Sequence, residues 1–248
     1  MTRRFLQTFL IIIFIILITG CSTDAITQPI DLETASWFTK YFTYPLVVTL
    51  DWFADKLWGL YGLSILVVTI IIRFIILPLT LKQYRSSKRM QELQPEMKKL
   101  KEKFKDDVKK QQEETMKLFQ MNNVNPLAGC LPLIVQMPIL IALYQAIMRN
   151  EHIRDQNFLW MNLGEPDRFY ILPILAAFTT YLQQKFMTTQ INPQMKALFV
   201  IFPVLIFVMS MNFAAALPLY WVYSNIFTVV QSYFIYGGTQ NKKGGLNQ

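Results

Sequence analysis

Residues 60–81 read LYGLSILVVTIIIRFIILPLTL, and Arg73 is the one charge in them. At about 1.5 Å per residue the stretch reaches about 33 Å as a helix, enough to cross a hydrocarbon core of about 30 Å. An arginine near the middle of such a helix costs from about 3 to more than 10 kcal/mol unless it is paired or wetted. Pairing needs an acid, yet the other apolar runs, 127–148, 169–187, 197–212 and 215–236, contain no Asp or Glu. Water, lipid phosphate or a carboxylate brought by another molecule is left.

The rest of the composition agrees with a membrane. The chain of 248 residues is 53% hydrophobic with a net charge of +8. Twelve of its 24 Lys and Arg fall within 82–117, between the first two apolar runs, as the positive-inside rule expects of a cytoplasmic loop. At the N-terminus, Arg3 and Arg4 precede an apolar run, then Thr19-Gly20-Cys21 and polar Ser22-Thr23-Asp24. This reads as a secretory signal over 1–20. The small residue before Cys21 resembles a bacterial lipobox, with Ile18 where the pattern prefers Leu. The implication is cleavage before Cys21 and a lipid anchor on it, palmitate included. An uncleaved anchor helix is the alternative. Cys130, the other cysteine, reads as a packing residue, so neither disulfide nor metal is implied.

Residues 21–44 form an exported linker. In 45–58, Leu46, Leu50, Phe53, Leu57 and Trp58 can share one helical face, with Asp51, Asp55 and Lys56 away from it. That pattern predicts an amphipathic helix on the outer leaflet. Gly59 and Gly62 permit a turn into the first span. Charges in the loops then order five spans, 60–81, 127–148, 169–187, 197–212 and 215–236, with an outer loop at 149–168 and a cytoplasmic tail at 237–248. The 82–125 segment is rich in helix formers. Met90, Leu93, Met97, Leu100 and Phe104 recur at helical spacing, and Met116, Leu118, Phe119 and Met121 mark a return arm. Lys105-Asp106-Asp107 offers a break and an N-cap, and Pro95 a kink or a late start. Two antiparallel helices follow, a cytoplasmic hairpin; the plainer reading is a loop that its charges keep soluble.

Polar residues inside the spans gather at one depth. Arg73 and Gln136 each lie about 12 Å from the cytoplasmic ends of their spans, and Thr180 and Gln184 about 10 and 5 Å from theirs. Trp221, Asn225, Thr228 and Ser232 form a stripe on the fifth span, flanked by Ser224 and Gln231. The fourth span has its polar residues at the ends and reads as a lipid-facing support. The simplest arrangement puts spans one, two, three and five around a wet cavity, closed on the outside, that would lower the cost of Arg73. The alternatives are that Gln136, Gln183, Gln184 and Asn225 are interhelical hydrogen-bond glue, and that Arg73 snorkels to lipid phosphate. A proline in every span (Pro78, Pro132, Pro138, Pro173, Pro203 and Pro218) suits bent helices.

Several chemistries have no footing. There is no phosphate-binding G-x-x-x-x-G-K-[ST] loop. His152, the one histidine, lies in the outer loop, and no carboxylates pair inside the spans. No base-reading module is visible. An enzyme is not expected, nor a cofactor beyond the lipid anchor. A small-solute or lipid transporter and a structural assembly factor stay open on the residues alone.

Tyr61-Gly62-Leu63-Ser64 through Arg73 to Leu77-Pro78-Leu79 resembles the YidC/Oxa/Albino membrane protein insertases. So do 90–96 (MQELQPE), 125–132 (NPLAGCLP), Gln136-Met137-Pro138, and Leu219-Tyr220-Trp221 with Ser224-Asn225 and Gln231. The order is kept over about 45–236. The lipobox and short linker resemble the Gram-positive lipoprotein branch, without the large exported domain of Gram-negative relatives. The resemblance implies an all-α polytopic protein, with five helices around a cytoplasm-open hydrophilic groove. It implies insertion of small membrane proteins, alone or with the Sec translocon. The resemblance implies that Arg73 is the groove arginine; with the polar residues of the spans, the expected groove set is Arg73, Gln136, Thr180, Gln183, Gln184, Tyr220, Trp221, Ser224, Asn225, Thr228 and Gln231. The expected partners are nascent membrane proteins with short acidic N-terminal tails, the Sec translocon, membrane lipids, and ribosome or targeting machinery at the hairpin.

Overall fold

The computed structural model describes residues 29–105, 107–122, 124, 131–187 and 193–244, with 87, 91, 131–134, 187, 193–199 and 235–244 described by backbone. The signal segment, Cys21 and its lipid, Cys130 and the NPLAGC stretch lie outside the described residues.

The described chain is helical apart from one two-stranded hairpin. A π-helical turn at Thr39–Thr43 leads into α1 (Tyr44–Lys56), followed by α2 (Tyr61–Glu92), α3 (Gln94–Lys103) and α4 (Val108–Met121). Then come α5 (Leu131–Arg149), α6 (Glu151–Arg154), β1 (Asn157–Phe158), β2 (Met161–Asn162), α7 (Ile171–Met187), α8 (Pro193–Ser210) and α9 (Ala216–Gly244). Among the described residues, Tyr61–Met90 is the stretch both long and apolar enough to cross a bilayer; Val135–Arg149 and Val200–Ser210 are shorter apolar helices.

The core lies at one end of the bundle. Ile65 and Val68 near the start of α2, Leu143 and Ile147 near the end of α5, and Leu172 and Ala176 at the start of α7 pack together. Ile206 near the end of α8 and Ala216 and Leu219 at the start of α9 join them. α9 packs on both α7 and α2, while α8 leans chiefly on α7. Val200, Ile201, Val204 and Val208 of α8 are exposed. Apolar side chains in water would be costly there, and in lipid they are not.

α2 does not stop at Leu81. It continues to Glu92, and the next helix begins at Gln94 with Pro95 in its first turn, where a missing N–H is harmless. Asp107 caps α4, accepting from the Lys110 N–H at 3.0 Å. α3 and α4 pair through Leu93, Phe119 and Val124, with Met90, Met97 and Leu118 against them. Met116 and Met121, expected on the pairing face, are exposed. Phe104 instead lies under two ammonium groups, Lys103 and Lys110, each 5.5 Å from its ring centre.

The segment before α2 differs from its expected form in three ways. Asp51 does not point away: its Oδ1 accepts from the Tyr61 hydroxyl at 2.8 Å and from Asn150 Nδ2 at 2.6 Å. Trp58 is not on the packed face; it is 85% exposed with a left-handed φ of 56°. Gly59 does make the turn, at φ 77°, but Gly62 has another role, since a Cβ there would collide with the Phe158 ring. α1 is further fixed by the Ser64 hydroxyl on the Leu50 carbonyl at 2.6 Å, and Thr43 donates to Gln145 at 2.9 Å. The helix therefore joins the bundle instead of merely resting beside it.

The 149–168 loop closes the same end. Gln156 accepts from the Tyr61 N–H at 2.6 Å and donates to the Gly59 carbonyl. The Ala215 and Ala216 N–H groups donate to the Glu165 and Leu163 carbonyls at 2.8 and 3.0 Å. Buried Asp167 accepts from Leu172 N at 2.7 Å and Phe169 N at 3.1 Å, capping the first turn of α7.

Candidate functional site

The apolar register of α2 places Arg73 past the end of the core, where α2, α5 and α9 meet. The side chain is half-buried. Its Nη2 donates to Gln136 Oε1 at 3.3 Å and to Ser224 Oγ. Gln136 Nε2 in turn donates to the Tyr220 hydroxyl at 2.7 Å. Gln136, Ser224 and Tyr220 are all neutral, and among the described residues no carboxylate reaches the guanidinium. Hydrogen bonds orient the charge without cancelling it, so the net charge of the cation remains available to an anion.

From this node a polar seam runs along α2 and α9. Gln231 Nε2 donates to Thr80 Oγ1 at 3.1 Å, and the Tyr84 and Ser232 hydroxyls bond at 2.9 Å, both residues buried. Partner numbers rise together along the seam, so the two helices run parallel. Thr228 is buried and donates to the Ser224 carbonyl of its own helix at 2.8 Å.

Other expected groove residues take a different place. Asn225 is buried and its Nδ2 donates to the hydroxyls of Thr179 at 3.1 Å and Thr180 at 2.9 Å. This bolts α9 to α7, and both hydroxyls also donate back to α7 carbonyls. Asn225 and Thr180 are thus bonded to each other, as interhelical glue would be. Gln183 and Gln184 are half-buried on α7 one turn on, and Gln184 Oε1 is enclosed with no partner among the described residues. Trp221 is half-buried against the core. Thr80, Tyr84 and Thr179 were not singled out from the sequence. The seven-residue spacing of Arg73 and Thr80, matched by Ser224 and Gln231, was the available signal.

This arrangement can be set beside known proteins. The sequence profile of the 60Kd inner membrane protein family matches residues 52–243, from α1 to the end of α9. The chain belongs to this family, the YidC/Oxa family, in its Gram-positive type. It is 47% identical over 241 residues to the membrane protein insertase YidC 1 of Halalkalibacterium halodurans, covering 96% of this chain and 93% of that one. It is 50% identical over 228 residues to the membrane protein insertase MisCA of Bacillus subtilis, covering 89% and 87%. A solved structure of an active YidC insertase with its first transmembrane domain resolved superposes with a TM-score of 0.67 at 26% identity. That match covers 81% of this chain and 47% of the other, so the chain spans about half the length of the solved protein. For a YidC/Oxa protein, all of the site assembled above, from Arg73 to Ser232, falls within the matched region.

Proposed function

We propose that the chain inserts small membrane proteins into the bilayer and helps them fold. The observation that carries this reading is Arg73: a cation inside the bundle, held by two neutral side chains, Gln136 and Ser224, with no acidic partner among the described residues. The names of the close relatives support it.

Five helices, α2, α5, α7, α8 and α9, cross the membrane. The end with the packed core faces outward, and the Arg73 end opens to the cytoplasm as a hydrated groove. The α3–α4 hairpin is cytoplasmic and receives clients, the ribosome or targeting machinery. The mature N-terminus is outside, lipidated on Cys21, in the plasma membrane. A client with a short acidic tail enters from the cytoplasm, and Arg73 attracts its carboxylates. A pair at about 4 Å is worth about 4 kcal/mol at an effective dielectric near 20, less when well hydrated. The client's apolar segment then passes α7 and α9 into lipid, driven by about 25 cal/mol per Å² of apolar area buried. A potential positive outside favours export of an acidic tail. The step needs no nucleotide, and it works alone or beside the Sec translocon.

The test is insertion of an acidic-tailed single-span client into proteoliposomes. Arg73→Ala and Arg73→Glu are expected to impair it and Arg73→Lys to retain most of it. Normal insertion by folded Arg73→Ala removes the charge-attraction step.

A further inference from the structure

Gln83 is a buried amide that neither the fold nor the groove set accounts for. It is 6% exposed, and its Nε2 is enclosed without an acceptor among the described residues. Ile65, Ile72 and Gln83 are spaced by seven and eleven residues, two and three helical turns, and so share one face of α2. Ile65 is buried in the core and Ile72 packs against it, so this face points inward. Gln83 is the polar member of that face. The next residue, Tyr84, bonds Ser232 of α9, which sets Gln83 at the far end of the α2–α9 seam, about 15 Å along the helix from Arg73. A buried donor with no acceptor lowers the stability of a fold. Leucine would fill the position without that cost.

We propose that Gln83 is a binding point for the main chain of the incoming client, its amide donating to a backbone carbonyl of a segment that is not yet helical. This rests on the insertase reading above and adds to it the chemical form in which the client is held. A tail in extended form carries an unpaired N–H and C=O at every residue, and these lose their water partners as the tail leaves the cytoplasm for the bilayer. Gln83 supplies one such partner, a donor that the fold leaves unused among the described residues. An amide binds a carbonyl with no regard to client charge, so Gln83 serves neutral and acidic tails alike, while Arg73 favours acidic ones.

The full chain in proteoliposomes is tested with two neutral-tailed single-span clients, one with a Gly/Ser tail and one with an Ala-rich helical tail. Gln83→Leu and Gln83→Glu are expected to slow the Gly/Ser-tailed client at least fivefold and to leave the helical-tailed client within twofold. Gln83→Leu is also expected to hold or raise the Tm in detergent, because an orphaned donor is removed. Unchanged insertion of the Gly/Ser-tailed client by Gln83→Leu, equal slowing of both clients, or a lowered Tm overturns the proposal. An acidic-tailed client with Arg73→Ala is run in parallel. If that variant inserts normally while Gln83→Leu fails, the charge step is wrong and main-chain binding stands. If the reverse holds, only the inference about Gln83 falls.

Discussion

Arg73 donates to Ser224, and the same offset of 151 residues recurs one heptad later, where Gln231 donates to Thr80. Two helices from opposite ends of the chain are thus joined in parallel by a repeating polar contact. In lipid, burial of apolar surface supplies no force between helices, and packing and hydrogen bonds must hold them. The seam does this beside the Arg73 cation, so the contacts that fix the α2–α9 pair also orient the charge.

Thr80 and Gln231 should therefore couple. In a double-mutant cycle, Thr80→Ala and Gln231→Leu are each expected to destabilise the detergent-solubilised protein, with an interaction energy of about 0.6 kcal/mol. Strictly additive effects on unfolding would show that the bond does not hold the pair together.

Gly62 and Phe158 form a second pairing that only coordinates reveal. The glycine leaves room for the ring of β1 against the start of α2. Gly62→Ala is expected to cost about 1–3 kcal/mol by overpacking, even though alanine is the better helix former. Adding Phe158→Leu should recover part of the loss. If Gly62→Ala raises the Tm, the ring can move aside, and the close approach is not a constraint.

The main helices were legible because their evidence is local: long apolar runs, Pro95 at a helix start, Asp107 at an N-cap. The polar stripe on α9 was legible for the same reason, since its period lies within one helix. What each stripe residue touches was not. Ser224 meets Arg73, whereas the adjacent Asn225 faces α7 and meets Thr179 and Thr180. One helical step of about 100° separates a residue beside the cation from one that bolts two helices together. Periodicity also misplaced Asp51, because it assigns every charge to water. A carboxylate that accepts two hydrogen bonds can turn inward, and its donors, Tyr61 and Asn150, lie 10 and 99 residues away.

Asp51 should then matter to stability more than a surface charge does. Asp51→Ala leaves the Tyr61 hydroxyl and the Asn150 amide without their acceptor, at about 1–3 kcal/mol for each group left unsatisfied. Asp51→Asn keeps one acceptor oxygen and is expected to lose less. Thermal unfolding in detergent gives the order directly: wild type, then Asn, then Ala. Equal Tm values for wild type and Asp51→Ala would mean that α1 is held by its apolar contacts alone.

Three large residues, Trp58, Leu159 and Tyr170, have left-handed φ angles of 56°, 55° and 57°, and all three are exposed at the end of the bundle where the core lies. Each such angle costs an L-residue about 1 kcal/mol or more, and glycine would relieve it. Bulky apolar side chains at strained positions, facing outward, fit the headgroup level of a bilayer, where Trp and Tyr gather. Trp58→Gly is expected to raise stability in detergent micelles by about 1 kcal/mol. In liposomes the indole of Trp58 should be quenched by lipids brominated high on the acyl chain and less by lipids brominated near its end. A protein carrying Trp58 as its sole tryptophan makes that reading unambiguous. If shallow and deep bromines quench it equally weakly, the side chain stands in water and the strain at this turn has no lipid contact to offset it.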